Sequence, residues 1–442
     1  MESFLEKLSM ALVRVPLRRE VVCYAVAFSG GLDSSALLTG LVRLGDRPVR
    51  ALHVNHGLHP DSRQWEAHCC TVAASLGAGF QSLRADIESR TGESLEALAR
   101  GVRYRALASM LRPGELLLTA HHAEDQLETI LLGLLRGSGV KGLRGIAEFR
   151  RLGAHYLARP LLTMNRDEIR RQAEAWGINW LEDPSNLDCR FDRNYLRSEV
   201  VPRLISRWPS GATTVGRAAR QMVDAQGILE GIAKEDASNI DLASRITLKT
   251  ILALPLPRQR NLMRYVIAGL GLPLPNSRQL EVLLASLGAE RPDALTQVQW
   301  PGGEGRVYRD HLYLFSPLVP PSKPDYTGLV TTHKSWKGPE GTLALEQAKG
   351  KGLPTSWAND GLTVGFRAGG ERFKPAGARH SRPLKKLFQD AGVVPWMRSR
   401  IPLLFREEEI VAVGDFWLGD QVNQHSGEPS WRVCWTDHPL FL

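Results

Sequence analysis

Residues 29–35, SGGLDSS, combine two adjacent glycines, three serines and an aspartate directly after the apolar run VVCYAVAF at 21–28. The run is typical of a buried strand and the residues after the loop are typical of a helix, so the segment lies at a strand-to-helix junction. Adjacent glycines let consecutive backbone N–H groups turn towards one anion, serine hydroxyls add donors, and a helix N-terminus adds positive potential. The pattern predicts a phosphate-binding loop that consists of Ser29, Gly30, Gly31, Leu32, Asp33, Ser34 and Ser35.

Asp33 indicates what kind of phosphate site this loop forms. The segment lacks the GK[ST] ending that supplies a phosphate-binding lysine in ordinary P-loops. A carboxylate repels phosphate unless a divalent cation lies between them, and Mg²⁺ commonly occupies that position. We therefore expect Asp33 to hold Mg²⁺ beside bound phosphate. The alternative is a plain glycine turn in which the aspartate and the serines cap the helix.

The segment HVNHGLHPDS, at 53–62, begins where a second predicted strand ends. Because ligands of parallel sheets bind at the carboxyl ends of the strands, Asn55, His56 and Gly57 should lie beside the phosphate loop. The alternative is a strand histidine followed by an ordinary NHG turn.

A second histidine-containing segment, TAHHAEDQLET at 119–129, follows another apolar run. His121, Asp125 and Glu128 recur at i, i+4 and i+7, so they share one face of a predicted helix. A carboxylate pair near a helix start suits a metal ion or a substrate ammonium group. The spacing is not that of zinc ligands, and a solvated polar helix face would give the same pattern.

Strand and helix patterns alternate through the first 200 or so residues. The predicted strands are 21–28, 49–54, 80–83 and 116–119, and the predicted helices are 34–43, 62–75, 94–111 and 124–135. Such alternation predicts a parallel, Rossmann-like sheet with helices on both faces. We expect this first domain to span residues 1–210.

The pattern changes from about residue 211 onwards. Helical periodicity at 213–232 and 257–269 is followed by a β-like segment at 298–315 and a proline-rich linker, PLVPPSKP, at 317–324. A strand-rich region follows. The predicted fold class is therefore α/β, with a parallel-sheet N-terminal domain, a mainly helical middle domain at 211–317 and a small α+β C-terminal domain at 325–442.

Composition limits the classes of function that the chain can have. The 442 residues are 43% hydrophobic and 23% charged, and the net charge of +9 favours a polyanionic partner. Five scattered cysteines without a CxxC pair support neither a disulfide framework nor a metal cluster. The sequence shows no membrane span and no cleavable leader, so we expect a cytoplasmic protein that does not bind membranes.

SGGLDS resembles the SGGxDS signature of the PP-loop ATP pyrophosphatases, which split ATP between its α and β phosphates. Further motifs lie in order: HVNHGL, ALARGVRYRAL at 97–107, HHAEDQLET, GSGVKGLRGI, RPLL at 159–162 and EDPSNLDCRFDRNYLRSEVVPRL at 182–204. Together they resemble the tRNA(Ile)-lysidine synthetase family. Residues 366–405 resemble the C-terminal domain of that family. The usual second aspartate before Asp125 is replaced here by Glu124.

The resemblance implies an activity. Members of this family use ATP to adenylate the wobble cytidine of an isoleucine tRNA with a CAU anticodon at carbon 2. The side-chain amine of free L-lysine then displaces AMP and gives lysidine. The implied cofactors are ATP and Mg²⁺, and the implied partners are this tRNA and lysine. A homodimer is kept as a hypothesis.

The resemblance also implies a role for each candidate residue. Ser29, Gly30, Gly31, Leu32, Asp33, Ser34 and Ser35 would bind the ATP phosphates, and His53 and Asn55 the adenosine end. Asp125 and Glu128 would bind the α-ammonium group of lysine, and Arg100 or Arg103 would bind its carboxylate. Arg193 and Arg197 would face the α-phosphate or the tRNA cytidine. The expected catalytic residues are Asp33, His121, Asp125, Glu128 and Arg197.

The lysine amine must lose a proton before it attacks, because it is mostly protonated at neutral pH. His121, His122 or a carboxylate of the Asp125/Glu128 pair would accept this proton, and the sequence does not choose between them.

Residues 366–406 hold ten Lys or Arg against two acidic residues. This surface suits a tRNA backbone, with contacts from Arg372, Lys374, Arg382, Lys385 and Lys386, and the interleaved Phe373, Phe388 and Trp396 would stack on exposed bases. A basic domain with aromatic residues in its core is the alternative.

Three other functions are weighed against lysidine formation. A PP-loop tRNA thiolase would need a sulfur-carrying cysteine or an iron–sulfur centre, and a PP-loop amide-forming ligase usually carries a glutaminase cysteine. The sequence shows neither feature. A non-catalytic RNA-binding protein would not need the intact SGGLDS loop.

Overall fold

The computed structural model describes residues 3–16, 18–57, 60–85, 95–182, 188–238, 240, 245–288, 296–321, 328–350, 352–422 and 429–438. Residues 322–324 of the predicted linker, residue 94 of a predicted helix, residues 58–59 of HVNHGLHPDS and residues 183–187 of the EDPSNL segment lie outside this part. The chain divides into two compact units, residues 1–228 and 229–442. The three predicted domain boundaries stay a prediction.

The first unit is built on a six-stranded sheet. Its strands are β1 Cys23–Ala27, β2 Val49–Asn55, β3 Gly79–Arg84, β4 Glu115–Leu118, β5 Phe149–Leu152 and β6 His155–Ala158. Their order is β3-β2-β1-β4-β6-β5, and every neighbouring pair is parallel except β5 and β6. The chain runs outward from β1 to β3 and then returns to β4 on the other side of β1. The crevice beyond the carboxyl ends of β1 and β4 is therefore the point where such sheets bind ligands.

Helices cover both faces of this sheet. The helices that the structure describes in the first unit, the last of which continues into the second unit, are α1 Phe4–Val13, α2 Leu32–Leu44, α3 Ser62–Ser75, α4 Leu95–Met110, α5 Ala123–Leu135, α6 Val140–Leu143, α7 Arg166–Ala175, α8 Asp192–Tyr195, α9 Val201–Arg207 and α10 Gly211–Asp236. One core includes apolar side chains of α1, α2, α3 and α7, and a second core includes those of α4. The predicted parallel, Rossmann-like domain is confirmed.

The hairpin of β5 and β6 and the helices α1, α6, α7 and α9 were not predicted from the sequence. The strands FRRL and HYLA are four residues each and carry polar side chains without a clear alternation. Such short polar strands give no periodic signal. A capping box begins α1, because Glu6 N–H donates to Ser3 Oγ and Ser3 N–H donates to Glu6 Oε2.

The second unit begins with helices packed on a small antiparallel sheet. The helices are α11 Leu248–Leu252, α12 Leu256–Gly269 and α13 Ser277–Leu287, and the strands are β7 Ile246–Thr247, β8 Thr296–Trp300, β9 Gly303–Tyr308 and β10 His311–Phe315. The strand order is β7-β10-β9-β8. The predicted single β-like segment is therefore three strands, joined by turns in which Gly302 and Arg309 have φ of 77° and 52°.

The rest of this unit is α+β, as predicted. Its strands are β11 Gly328–Val330, β12 Trp336–Gly338, β13 Gly341–Lys349, β14 Leu353–Pro354, β15 Leu362–Gly365, β16 Arg372–Phe373, β17 Arg382–Pro383, β18 Leu403–Arg406, β19 Glu409–Val413, β20 Trp417–Leu418 and β21 Pro429–Thr436, and its helices are α14 Thr355–Asp360 and α15 Leu384–Asp390. These strands form sheets of five, four and two strands. Among all the helices that the structure describes, none is long and apolar enough to cross a membrane.

Candidate active site

The loop between β1 and α2 has a shape that only glycine allows at its centre. Gly30 has φ of 79°, in the left-handed region. A Cβ atom at this position would lie 2.9 Å from Cys69 Sγ and 3.0 Å from Leu181 Cδ1. The backbone N–H of Leu181 donates to Gly30 O over 2.9 Å and holds the loop from outside. The loop is therefore fixed by backbone conformation, by packing and by a hydrogen bond.

The serines of the loop stabilise it internally. The Ser34 hydroxyl donates to Gly31 O over 3.0 Å and lies 3.1 Å from Ser29 Oγ, and the fully buried Ser35 hydroxyl donates to Gly30 O over 3.3 Å. Since a hydroxyl has one proton, Ser35 in this arrangement holds the loop instead of donating to a ligand. Among the described residues, no side chain caps the N-terminus of α2, so its first-turn N–H groups are available to an anion.

Asp33 lies in the first turn of α2 with one oxygen atom unsatisfied. Its Oδ1 is buried and has no hydrogen-bond partner within the described residues. Burial raises the pKa of Asp33, and the neighbouring Asp125 adds to the shift, while His122, Arg166 and Arg197 oppose it. A buried carboxylate oxygen without a partner fits a cation or a protonated group at this position. No group of three or more metal-binding side chains surrounds it in the described part of the chain, so the other ligands of a cation there would be phosphate or water.

His122 links Asp33 to the start of α5. As the N-cap residue, it donates its backbone N–H to Asp125 Oδ2 over 3.0 Å. Its ring Nδ1 lies 2.9 Å from Glu124 Oε2, and its Nε2 lies 3.5 Å from Asp125 Oδ2 and 3.7 Å from Asp33 Oδ2. Burial disfavours the charged ring, but these carboxylates, Asp125 foremost, raise the pKa of His122 to about 9. The ring is therefore an imidazolium at neutral pH and does not accept a proton.

Asp125 and Glu128 form ion pairs with the two arginines that the sequence analysis assigned to phosphate or tRNA. Arg197 donates from Nε to Glu128 Oε1 over 2.8 Å and from Nη2 to Asp125 Oδ1 over 2.7 Å. Arg193 donates from Nε to Glu128 Oε2 over 2.9 Å. The Glu128 side chain is 1% exposed, so it needs both partners. In this structure the two pairs contact one another as one carboxylate–arginine network of four residues, and their separate binding roles stay a prediction.

The helix geometry around Arg197 is unusual. A π-helical turn, Leu196–Val200, lies between α8 and α9. Arg193 belongs to α8 and Arg197 to this turn. Such turns are rare and occur frequently at functional sites.

The surroundings of the network shift the pKa values of two of its members. Burial acts to raise the pKa of Asp125, but the nearby His122 and His121 lower it. Burial acts to lower the pKa of Arg197, but Glu128 raises it.

His121 stands beside this network as a neutral imidazole. Its Nδ1 lies 2.9 Å from Thr119 Oγ1. Burial is the largest cause that lowers the pKa of His121, to about 3. The charges of Arg159, Arg100 and Arg193 also lower this pKa, whereas the charge of Asp125 raises it. The ring is therefore uncharged at pH 7, and its surroundings make it a weak base.

His53 and Asn55, at the end of β2, are held by the protein itself. Since Phe28 O only accepts, His53 Nδ1 donates to it over 3.0 Å, which leaves Nε2 as an acceptor. Asn55 Nδ2 donates to Glu66 Oε2 over 2.8 Å, and Asn55 Oδ1 accepts from Gly57 N over 2.9 Å. Asn55 therefore closes the NHG turn, as the alternative in the sequence analysis described. Contact of either residue with a nucleotide stays a prediction.

Arg100 and Arg103, the two candidates for the lysine carboxylate, have different surroundings on α4. The guanidinium carbon of Arg100 lies 5.6 Å from the centre of the Tyr104 ring. Arg103 Nε lies 3.4 Å from His56 Nε2. Of the two, Arg100 affects the pKa of His121.

Arg166, at the start of α7, was missed by the sequence analysis. Its backbone N–H donates to Glu124 Oε2 over 3.0 Å. Its side-chain Nε is buried without a hydrogen-bond partner among the described residues, and its charge lowers the pKa of Asp33. An unpaired donor beside an unpaired carboxylate oxygen indicates a ligand that satisfies both. Only the position of this arginine after RPLL distinguishes it in the sequence.

The predicted tRNA-contacting residues of the second unit are exposed or half-buried, with different partners. Arg372 donates to Ser381 O over 2.7 Å, Lys374 pairs with Asp420 over 2.7 Å, and Arg382 pairs with Asp390. Lys385 and Lys386 are exposed on α15.

The prediction that aromatic residues of this region stack on bases is wrong for the three that were named. Phe373, Phe388 and Trp396 are 3%, 0% and 7% exposed and belong to the hydrophobic core of the second unit. The alternative, a basic surface over an aromatic core, describes this region.

Comparison with known proteins assigns the chain to a family. A family model described as a PP-loop domain matches residues 4–204, one described as the TilS substrate binding domain matches residues 247–313, and one described as the TilS substrate C-terminal domain matches residues 362–435. The first and third of these matches cover the segments whose motifs carried the family resemblance, and no sequence motif predicted the second.

Curated relatives match nearly the whole chain. A tRNA(Ile)-lysidine synthase of Alkalilimnicola ehrlichii is 39% identical over 435 residues and covers 94% of each chain. Those of Coxiella burnetii and Methylococcus capsulatus are 37% and 38% identical and cover 93% of this chain and 92% and 96% of their own. At this identity and coverage, the chain belongs to the tRNA(Ile)-lysidine synthase family.

Proposed function

We propose that this protein attaches free L-lysine to carbon 2 of the wobble cytidine of an isoleucine tRNA with a CAU anticodon, at the expense of ATP. The observation that carries the proposal is the position of the His122 ring between the phosphate loop and the carboxylate–arginine network. Its ring lies within 4 Å of Asp33, on the phosphate loop, and of Asp125, in the carboxylate–arginine network. A nucleotide site and a polar site able to hold an amino acid thus share one edge of the sheet. The proposed location is the cytoplasm.

The first stage would activate the cytidine. The carbonyl oxygen at carbon 2 attacks the α-phosphate of ATP, the bond to the β-phosphate breaks, and pyrophosphate leaves. The phosphate loop and the N-terminus of α2 bind the phosphates, and Arg166 donates to one of them. Asp33 would hold Mg²⁺, which neutralises phosphate charge when bound. Most of the rate enhancement would come from positioning and from charge stabilisation.

The second stage would transfer lysine. The uncharged side-chain amine attacks carbon 2, the bond from carbon 2 to the adenylate oxygen breaks, and AMP leaves. The attacking nitrogen gives up a proton, which passes to solvent, because the pKa of about 3 makes the His121 ring a weak base and His122 already carries a proton. Asp125 and Glu128 would bind the α-ammonium group of lysine after the side chain of Arg193 or Arg197 turns away from them towards the adenylate.

Incorporation of labelled lysine tests this function. A transcript of the CAU-anticodon isoleucine tRNA is incubated with the protein, ATP, Mg²⁺ and labelled lysine, beside the same transcript with uridine at the wobble position. Label that requires ATP and the cytidine supports the proposal. Release of AMP and pyrophosphate with some other acceptor would contradict it and would favour a thiolase or an amide ligase. Assembly as a homodimer is a separate hypothesis, tested by light scattering.

A further inference from the structure

The second unit contains a cavity of about 540 Å³ that is lined by two neighbouring aromatic side chains. Phe416 follows β19, and Trp417 begins β20. Residues 375–377 also line the cavity, and Asp415 and Arg432 add charged groups. The volume is within the range of pockets that bind a small molecule or one planar part of a larger partner.

The aromatic residues of the cavity belong to a row of rings that continues into the core. The ring centres of Phe416 and Trp417 are 5.6 Å apart, and those of Trp417 and Phe388 are also 5.6 Å apart. Phe388 is fully buried, whereas Phe416 and Trp417 are half-buried and line the cavity. Trp417 is therefore held by the core and presents ring surface to the cavity. Such an indole is a platform on which a planar aromatic group stacks.

Hydrogen bonds hold the loop at residues 375–377 beside these rings. The N–H of Ala376 donates to Leu418 O over 2.8 Å, and the N–H of Asp420 donates to Lys374 O over 2.9 Å. The side chains of Lys374 and Asp420 also form an ion pair over 2.7 Å. Because the loop is joined to β20 by its backbone, the cavity is preformed, and binding there costs little conformational entropy.

The same loop belongs to a strongly basic segment. Residues 372–386 contain six Lys or Arg and no Asp or Glu. Five of these cationic side chains are exposed: Arg372, Arg379, Arg382, Lys385 and Lys386. An aromatic cavity within a cationic surface is the combination that binds unpaired nucleotides, because cations contact the phosphates and rings stack on the bases.

We propose that this cavity binds one unpaired nucleobase of the tRNA, stacked on the ring of Trp417, while residues 372–386 contact the neighbouring phosphates. A base within a double helix is paired and stacked between its neighbours, so only an unpaired base can enter. This inference rests on the proposed function, because it names a second part of the same substrate. The base is a different one from the wobble cytidine, which reacts at the site of the first unit.

The affinity for tRNA, measured by filter binding without ATP or lysine, tests the inference. Trp417→Leu removes the stacking surface, so the Kd for the CAU-anticodon tRNA should rise roughly fivefold or more, as expected for the loss of one base–aromatic stack. The dependence of Kd on salt concentration should keep its slope, because stacking releases no counterions. Trp417→Phe keeps an aromatic ring and should retain most of the affinity.

Trp357→Leu is the matched control. Trp357 is also half-buried and packs on the same core, but its side chain is not part of the cavity lining. Its Kd should equal that of wild type. A cooperative thermal unfolding transition shows whether Trp417→Leu folds. Phe416→Leu, which should also raise Kd, decides if Trp417→Leu does not fold.

Chemical modification of the bound tRNA locates the base. Dimethyl sulfate and a carbodiimide modify the pairing edges of unpaired bases. At saturating wild-type protein, one unpaired base other than the wobble cytidine should be protected from them. The same base should react again when Trp417→Leu is bound at saturation, whereas the other protected positions should stay protected.

The outcomes separate the two proposals. If lysine is attached to the tRNA but Trp417→Leu keeps the wild-type Kd and protection pattern, the base site is wrong and the proposed function stands. A Kd that rises equally in Trp357→Leu, or a salt slope that falls in Trp417→Leu, would also overturn the base site. If wild type neither binds the tRNA nor attaches lysine to it, both proposals are overturned.

Discussion

The ring Nε2 of His122 lies 3.7 Å from Oδ2 of Asp33, so a buried cation connects the start of α5 to the phosphate loop. Asp33 lies in the first turn of α2 and His122 is the N-cap residue of α5, and these two helices follow the adjacent parallel strands β1 and β4. The same ring contacts Glu124 and Asp125. The imidazolium therefore allows three carboxylates to remain close together.

Replacement of His122 by glutamine should destabilise the protein. The change removes the cation and leaves carboxylates uncompensated, and breaking a buried ion pair in this way costs about 3 kcal/mol or more. Denaturation in urea measures the loss in the free energy of unfolding. The His122→Gln/Glu124→Gln double variant should lose less than the sum of the two single variants, because Glu124 no longer needs a partner. Additive losses would show that the two side chains do not interact.

The low pKa of His121 predicts a specific dependence of stability on pH. In the unfolded chain this histidine takes up a proton near pH 6.5, whereas in the folded protein it stays neutral down to about pH 3. The unfolded state therefore binds more protons between these values, and the free energy of unfolding decreases as pH falls below 6.5, by about 1 kcal/mol per pH unit. His121→Asn should remove this part of the slope. Equal slopes for wild type and variant between pH 7 and 5 would contradict a buried neutral ring.

Arg166→Gln should weaken nucleotide binding. The side chain lies near Asp33 with an unpaired Nε, and we expect it to donate to a phosphate, so KM for ATP should rise by roughly tenfold or more. Initial rates at varied ATP measure this. Arg170→Gln, at an exposed position one turn later on α7, is the control and should leave KM unchanged. A normal KM for ATP in Arg166→Gln would remove this residue from the site.

The exposed lysines of α15 should contribute to tRNA affinity through charge. In Lys385→Gln/Lys386→Gln, KM for tRNA should rise, and the dependence of affinity on salt concentration should become less steep by about one to two ions. The pair Lys334→Gln/Lys337→Gln changes two exposed lysines elsewhere in the same unit and is the control. If both pairs have the same effect, α15 is not part of the tRNA surface.

The sequence predicted the phosphate loop and its sheet because the signals are local. The glycines, the serines and the flanking apolar run lie within 18 residues. Bounds of the predicted strands and helices in the first unit agree with the structure to within a few residues, and α3 agrees at both ends.

The carboxylate–arginine network was not predictable in the same way. Asp125 and Glu128 meet Arg193 and Arg197 across 65 to 72 residues of chain. Each pair alone has helical spacing and suits a ligand, so spacing did not reveal that they bind one another. The partners depend on how α8 and the π-helical turn pack on α5, which is a tertiary effect.

The aromatic residues of the second unit show a different limit. Phe388 lies on α15 with Leu384 and Leu387, and all three are buried. This i, i+3, i+4 pattern favours a core position, but the neighbouring lysines made the segment look like a surface for bases. One short helix can have a basic face and an apolar face at once. Only the burial of each side chain in the structure shows which face it belongs to.

The most direct test of the account follows the α-phosphate of ATP. The protein is incubated with the CAU-anticodon tRNA and ATP labelled at the α-phosphate, without lysine. We predict that label enters the tRNA, that unlabelled lysine then releases it as AMP, and that tRNA with a wobble uridine takes up none. Label that never enters the tRNA, while lysine is still attached, would contradict the adenylated cytidine and with it the proposed order of the two stages.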